Sequence, residues 1–228
     1  MGINTILIGI VFFSLLIFYF FLLKNKFKNK IFDLNKIIEE LTKLNEILEE
    51  KNRDLEELNK KFKIESFTDS LTGLANRRFF MNECEKIIAN TTKEKTAFFI
   101  IILDIDYFKK INDTYGHLFG DVALKHVAQI LKSSLREGDI VARFGGEEFI
   151  IGLPKTNIVT AKSIAERIRI TIMNSKVKSD KNTPRMTISI GISQYISHEK
   201  NIETSIKRAD DALYKAKSDG RNCIVVKL

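Results

Sequence analysis

Arg143-Phe144-Gly145-Gly146-Glu147-Glu148-Phe149 places two carboxylates directly after a glycine pair, with strand-like residues on both sides: Asp139 to Phe144 before, Phe149 to Leu153 after. Two consecutive glycines between such runs predict a tight β-turn with left-handed backbone angles. The stretch therefore reads as a hairpin whose acidic tip can hold metal ions against a phosphate. It also fits an ordinary hairpin with two solvated glutamates, so residues elsewhere have to decide.

Working outward, the run Ala97 to Leu103 is short and rich in Phe and Ile, which predicts a buried strand. It ends in Leu103-Asp104-Ile105-Asp106. Acidic residues at the end of an apolar strand are costly unless exposed or paired with a cation, and Mg²⁺ takes one or two carboxylates while keeping positions free for substrate phosphates. If the glycine-tipped hairpin lies beside this strand, Glu147 faces Asp104. A solvated strand end capping the next helix explains one aspartate but explains the combination poorly. Helices are predicted at Asn76 to Asn90, Tyr107 to Tyr115, Asp121 to Leu135, Asn157 to Asn174 and Ile202 to Ser218. Further strands are predicted at Met186 to Ser193 and Cys223 to Lys227. Hairpins combined with crossovers in one sheet indicate an α/β sandwich with a central mixed sheet flanked by helices.

The N-terminal part has a different character. Ile6 to Leu23 carries no charge and is almost wholly apolar, about 18 residues or roughly 27 Å of helix, which predicts one transmembrane helix within residues 1–23. No basic residue precedes it and no small-residue cleavage pattern follows it, which disfavours a signal peptide. Lys24, Lys26, Lys28 and Lys30 follow at once, so the positive-inside rule places the rest of the chain in the cytoplasm, on a bacterial cytoplasmic (inner) membrane. Few residues precede the span, which predicts no external sensor domain in this polypeptide. In residues 24–66, Leu34, Ile37, Leu41, Leu44, Leu48, Lys51, Leu55, Leu58 and Phe62 recur at steps of three and four, a heptad seam of about four repeats. Glu and Lys fill most positions between, which favours a parallel dimeric coiled coil over a helix lying on its own domain. Lys51 interrupts the seam, where one polar residue fixes register at some cost in stability.

The 228 residues, 44% hydrophobic, suffice for one substantial core plus an extension. The net charge of +8 suits membrane-flanking lysines or anionic phosphates as well as nucleic acid, and no aromatic-basic surface motif supports nucleic acid. Cys84 and Cys223 have neither disulfide-framework nor metal-ligand spacing, as expected of incidental thiols in a reducing compartment.

Four strings together carry a family resemblance over residues 67–228. Asp69-Ser70-Leu71-Thr72-Gly73-Leu74-Ala75-Asn76-Arg77-Arg78 comes first, then Asp104-Ile105-Asp106-Tyr107-Phe108-Lys109-Lys110-Ile111-Asn112-Asp113-Thr114-Tyr115-Gly116-His117 continuing to Gly120-Asp121. Gly145-Gly146-Glu147-Glu148-Phe149 and Ala216-Lys217-Ser218-Asp219-Gly220-Arg221-Asn222 complete the set. In this order they resemble the GGDEF-domain diguanylate cyclases, whose signature accepts Glu at the third position. The resemblance implies a nucleotide-cyclase-like sandwich and condensation of two GTP to cyclic di-GMP and two pyrophosphates by a Mg²⁺-dependent homodimer, with Mn²⁺ as a substitute ion.

By the same resemblance, Asp104, the Ile105 carbonyl and Glu147 hold the metal, and Glu147 or Glu148 assists deprotonation of the attacking hydroxyl; the two are not separated. Lys109, Lys217 and Arg221 contact phosphates, where ammonium and guanidinium groups give charge-assisted hydrogen bonds. Asn112 and Asp121 read guanine, whose N1 and N2 hydrogens a carboxylate can accept and adenine cannot match. His117 lines the nucleotide pocket, with a structural helix-start role as its alternative. Arg136-Glu137-Gly138-Asp139 matches the family's RxxD inhibitory site, with Arg167 as an auxiliary contact, and predicts product inhibition. A catalytically silent nucleotide-binding or interaction module on the same fold is the competing expectation. Any input signal is expected through the span, a sensor partner, or the relative rotation of two long helices.

Overall fold

The computed structural model describes residues 2–94, 96–177, 184–197, 199 and 201–228, with the backbone alone for 2–8, 10–11, 59–61, 63–65 and 90–94. The chain divides into two compact units, Met1–Lys61 and Phe62–Leu228.

The first unit is helical, part of a continuous helix α1 that spans Gly2–Phe67. Its seam residues Leu34, Ile37, Leu41, Leu44, Leu48, Leu55 and Leu58 are all at least half exposed. Lys51 reaches Asp54 on its own helix at 3.3 Å. Phe12 to Leu22 are likewise exposed around the helix. Among the described residues no helix is long and apolar enough to cross a membrane. The span expected over Ile6 to Leu23 includes Ile6, Leu7, Ile8, Ile10 and Val11, whose side chains lie outside the described set.

In the second unit the elements run β1 (Ala75–Asn76), α2 (Arg77–Glu94), β2 (Phe98–Ile105), α3 (Phe108–Tyr115), α4 (His117–Ser133), β3 (Ile140–Arg143), β4 (Glu148–Pro154), α5 (Ile158–Asn174), β5 (Ile188–Tyr195), α6 (Glu203–Ser218) and β6 (Ile224–Val226). They form one six-stranded mixed sheet in the order β1-β3-β4-β2-β5-β6. Only β1–β3 and β5–β6 pair parallel.

β2 lies in the middle with all eight residues buried, and its period-two alternation divides the core. Phe99, Ile101 and Leu103 pack with α4 residues Leu124 and Val127 and α5 residues Ala165 and Ile168. Phe98, Ile100 and Ile102 pack with Phe80 and Cys84 of α2 and Ala209 and Leu213 of α6. Gly191 of β5 lets α6 lie close, because a Cβ there would collide with backbone atoms of Ala209 and Leu213. The Cys84 thiol is buried in this layer, and burial pushes its pKa up to about 12.

Most elements fall within a few residues of expectation, with informative departures. β2 extends to Ile105, so Asp104 lies inside the strand rather than beyond it. α4 begins at His117, four residues before the expected Asp121. The two-residue β1 carried no sequence signal. The glycine pair at 145 and 146 does not adopt left-handed angles; the positive-φ glycines among the described residues are Gly73, Gly116, Gly138 and Gly220. The tip is a wider bend, held by Phe144 N and Gly145 N donating to the Glu148 carbonyl at 2.8 and 3.3 Å.

Candidate functional site

At one end of β2 the register sets Asp104 directly across from Glu148 of β4. Directly opposed residues of an antiparallel pair share a face. Glu147 sits beside Ile105, whose N–H donates to the Glu147 carbonyl at 3.4 Å. The partner that the sequence reading set against Asp104 was Glu147; the backbone register gives that place to Glu148. Lys217, near the end of α6, reaches Asp104 Oδ2 at 2.8 Å.

Asp104 is 4% exposed. Burial raises its proton affinity, partly offset by the Lys217 hydrogen bond and charge. Glu147 and Glu148 are raised as well, first by burial and then by the Asp104 charge, with Lys217 opposing in both. These three carboxylates thus share a confined region with less positive charge than they need.

Mg²⁺ takes oxygen donors, and Asp104, Ile105 and Glu147, the residues expected to hold it, lie at the same end of β2. Among the described residues no three His, Cys, Asp or Glu side chains converge tightly enough to form a metal cage. A site of two carboxylates and one carbonyl, completed by substrate oxygens, requires no such cage.

Asp106 is equally buried at 4% exposure but has a different job. Its carboxylate accepts from Thr187 Oγ1 at 2.7 Å, Ser189 Oγ at 2.6 Å and Asn222 N at 3.1 Å. It therefore fastens the start of α3 to β5 and to the turn after α6. Three of the four positive-φ non-glycine residues among those described, Tyr107, Arg221 and Asn222, surround it. Strained backbone of this kind persists where neighbouring structure fixes it. The Arg221 guanidinium stacks on the Tyr107 ring at 4.4 Å and donates to its hydroxyl at 3.3 Å. Lys217 and Arg221 come to the same end of β2, whereas Lys109 is exposed on α3 and has no hydrogen-bond or ion-pair partner among the described residues.

Asn112 and Asp121 approach each other because α3 and α4 meet at Gly116, whose N–H donates to the Asn112 carbonyl at 2.8 Å. The Asn112 side chain packs on Gly120, where a Cβ would collide with Oδ1. That oxygen is buried without a hydrogen-bond partner, and buried polar atoms are seldom left so unless a ligand or water serves them. His117, the first residue of α4, is exposed, and Asp121 is half-buried.

Arg136 and Asp139 engage each other through Nε to Oδ1 at 3.2 Å. Arg136 Nη2 also donates to Pro154 O at 2.9 Å and Thr156 Oγ1 at 3.1 Å. Arg167 Nη2 donates to Ser134 O at 2.5 Å, two residues before Arg136. The structure thus gathers the three around the turn between α4 and β3.

Arg143 was not singled out in the sequence. Its Nη1 bonds both Asp69 carboxylate oxygens at 3.2 and 3.1 Å, while Nε and Nη2 donate to the Gly146 carbonyl at 3.1 and 2.7 Å. Asp69 also accepts from Thr72 N at 2.8 Å. Burial would raise the Asp69 pKa, but the Thr72 and Arg143 hydrogen bonds and the Arg143 charge outweigh it and hold the pKa down. The available signal was the order of charges, an arginine two residues before the glycines and an aspartate in the distant turn. Neither gives a pairing without the fold. Gly146 has open space where a Cβ would stand and no left-handed φ. Nothing inside the chain demands glycine there.

Comparison with known proteins agrees with these features. Residues 66–223 match the family model described as diguanylate cyclase, GGDEF domain. The chain is 40% identical over 162 residues to diguanylate cyclase A of Treponema denticola, covering 70% of this chain and 44% of that protein. It spans less than half the length of this relative, of the response regulator PleD of Caulobacter vibrioides and of diguanylate cyclase DgcM of Escherichia coli. Among solved structures, the coiled coil and GGDEF domain of DgcB from Caulobacter crescentus in complex with c-di-GMP is 29% identical with a TM-score of 0.74, covering 81% of this chain and 99% of that one. Diguanylate cyclase SiaD in complex with its activator SiaC, from Pseudomonas aeruginosa, is 29% identical with a TM-score of 0.71, covering 98% of this chain and 87% of SiaD. With its family model spanning well over half its length and its acidic tip and basic α6 end in one fold, the chain belongs to the GGDEF family.

Proposed function

We propose that the chain is a diguanylate cyclase that joins two GTP into cyclic di-GMP with release of two pyrophosphates. The observation that carries this is the set Asp104, Glu147 and Glu148 facing Lys217 at one end of β2, an acidic centre with its own phosphate-seeking cation. The Asn112 amide and Asp121 carboxylate hold guanine, with His117 at the rim, and Lys217 and Arg221 turn to the phosphates. The raised proton affinity of Glu147 and Glu148 suits either to accept the 3′-hydroxyl proton. The 3′-oxygen then bonds the α-phosphorus of the facing nucleotide while the bond to pyrophosphate breaks. Mg²⁺, or Mn²⁺ in its place, supplies charge neutralisation at the triphosphate when bound to Asp104, the Ile105 carbonyl and Glu147. The intact acidic set favours this reading over the silent module.

Each copy holds one nucleotide, so catalysis needs two copies. The exposed seam from Leu34 to Phe62 supports a parallel pairing. Ile6 to Leu23, followed by four lysines, supports a single-pass anchor in the bacterial inner membrane with the catalytic domain in the cytoplasm. Sedimentation of the full chain with membranes, and its release on deleting residues 1–23, tests the anchor; a soluble full chain refutes it. SiaD, which matches nearly the whole length, was solved with an activator, which supports a protein partner as one source of input. Arg136, Asp139 and Arg167 form the product-inhibition site. Incubating the dimeric full chain with GTP and Mg²⁺ tests the central reading: cyclic di-GMP is expected, and its absence from a demonstrably dimeric sample refutes it.

A further inference from the structure

A second pocket, of about 350 Å³, opens between α3 and the segment leading into β5, lined by Tyr107, Lys110, Thr114, Tyr115, Pro184 and Arg185 among others. It is not the guanine side of α3. At about 100° per residue, Asn112 points roughly 160° away from both Lys110 and Thr114. Lys110 and Arg185 are exposed, and neither has a hydrogen-bond or ion-pair partner among the described residues. Among the described residues lining the pocket the one carboxylate is Asp106, whose oxygens are turned to Thr187 Oγ1, Ser189 Oγ and Asn222 N and which pairs with neither cation.

Two unpaired cations at the rim of a cavity select an anion, and two tyrosines with a proline provide flat walls for a ring. The volume is at the lower end of small-ligand sites, on the order of 300–1,000 Å³, which suits a single nucleotide and is too small for a dinucleotide. We propose that this pocket is an accessory site for a nucleoside monophosphate, with the base between Tyr115 and Pro184 and the phosphate on Lys110 and Arg185. The Tyr107 ring is a shared wall: it lines the pocket and carries the Arg221 guanidinium.

The test is AMP binding by equilibrium dialysis to the full chain in detergent, in an Asn112→Ala, Asp121→Ala, Arg136→Ala background that removes guanine reading and the RxxD site. This readout does not depend on the cyclase reading, so the two can fail separately. One AMP per protomer is expected, bound at least tenfold tighter than inorganic phosphate. Lys110→Glu and Arg185→Glu should each weaken it at least tenfold, while Lys125→Glu, the same charge change on exposed α4, should leave it within twofold. No bound AMP, phosphate binding as tightly as AMP, or equal weakening by Lys125→Glu overturns the proposal. Lys110, Arg185 and Lys125 are exposed and have no hydrogen-bond or ion-pair partner among the described residues, and unchanged circular dichroism verifies that each variant, the background included, is folded.

Discussion

Gly120→Ala asks whether the Asn112 amide reads the nucleotide. A Cβ at Gly120 would collide with Asn112 Oδ1 and stand 3.0 Å from its Cγ and 3.2 Å from Phe108 Cζ. Phe108 is buried and has little room, so the carboxamide must leave its position. Overpacking costs about 1–3 kcal/mol, and the helical preference of Ala over Gly returns about 1 kcal/mol of it. The net loss of about 2 kcal/mol or less lowers Tm by only a few degrees, because a domain of this size shifts about 2–4 °C per kcal/mol. The substrate suffers more. Losing a buried amide contact costs about 1–3 kcal/mol, or roughly a 5- to 150-fold rise in KM for GTP. Cyclic di-GMP formation is measured against GTP for the parent, Gly120→Ala, Asn112→Ala and the double variant. If the collision acts through Asn112, the double variant is no worse than Asn112→Ala alone. A KM within twofold of the parent in folded Gly120→Ala refutes the assignment of Asn112.

Arg143→Ala frees the Gly146 carbonyl and leaves Asp69 half-buried without its cation, so activity should fall at least tenfold with a Tm loss of several degrees; a fully active variant refutes the clamp. The Asp69 pKa is held down, so its stabilising contribution is present above the ordinary carboxylate value near 3.8 and lost as pH falls below it; acid unfolding of the variant should show a weaker dependence there. Asp104, Glu147 and Glu148 have the opposite sign: native pKa values above the unfolded ones mean that stability falls as pH rises through that window. Mg²⁺ should therefore raise Tm more at pH 8 than below the ordinary glutamate value of 4.5, where the raised Glu147 and Glu148 are mostly protonated, and an equal rise at both refutes the acidic set as its binding place. Arg136→Ala should relieve inhibition by added cyclic di-GMP; equal sensitivity in parent and variant rejects the RxxD site. Inserting one to seven residues after Leu48 should change activity with the heptad phase, and indifference to insertion length rejects coupling through α1.

The sheet was legible because β2 and its neighbours state their burial in composition: an unbroken apolar run between polar segments has few other readings. The family resemblance carried by four local strings put forward Asp104, Asn112, Glu147 and Lys217 before any coordinates, and the structure brings Lys217 onto Asp104. What could not be read depends on approach between distant segments. Asp104 against Glu148 instead of Glu147 is a matter of register across two strands, and a one-residue difference leaves the sequence pattern almost unchanged. Asp106 resembled Asp104 in sequence, yet its three donors come from β5 and from beyond α6. The glycine pair was expected to serve a tight turn. Its backbone angles are not left-handed, and a Cβ at Gly146 would meet nothing among the described residues, so local geometry does not account for the pair.

The last turn of α1 and the acidic tip are joined by a short series of bonds with few loose joints. The Ser66 carbonyl accepts from Asn76 Nδ2 at 2.9 Å, and Ser66 Oγ accepts from Arg78 Nη1 at 3.0 Å. Asn76 is in β1, whose register partner in β3 is Arg143. Arg143 in turn holds Asp69, just beyond α1, with one nitrogen and the Gly146 carbonyl with two others. A displacement of Ser66 thus meets the tip through one strand pairing and one guanidinium, both half-buried or better, instead of through a flexible loop. Two-residue β1 has little packing value of its own; its worth lies in fixing Asn76 beside Arg143. On this geometry the turn Asp69–Leu74 ties the end of α1 to the acidic tip through Arg143.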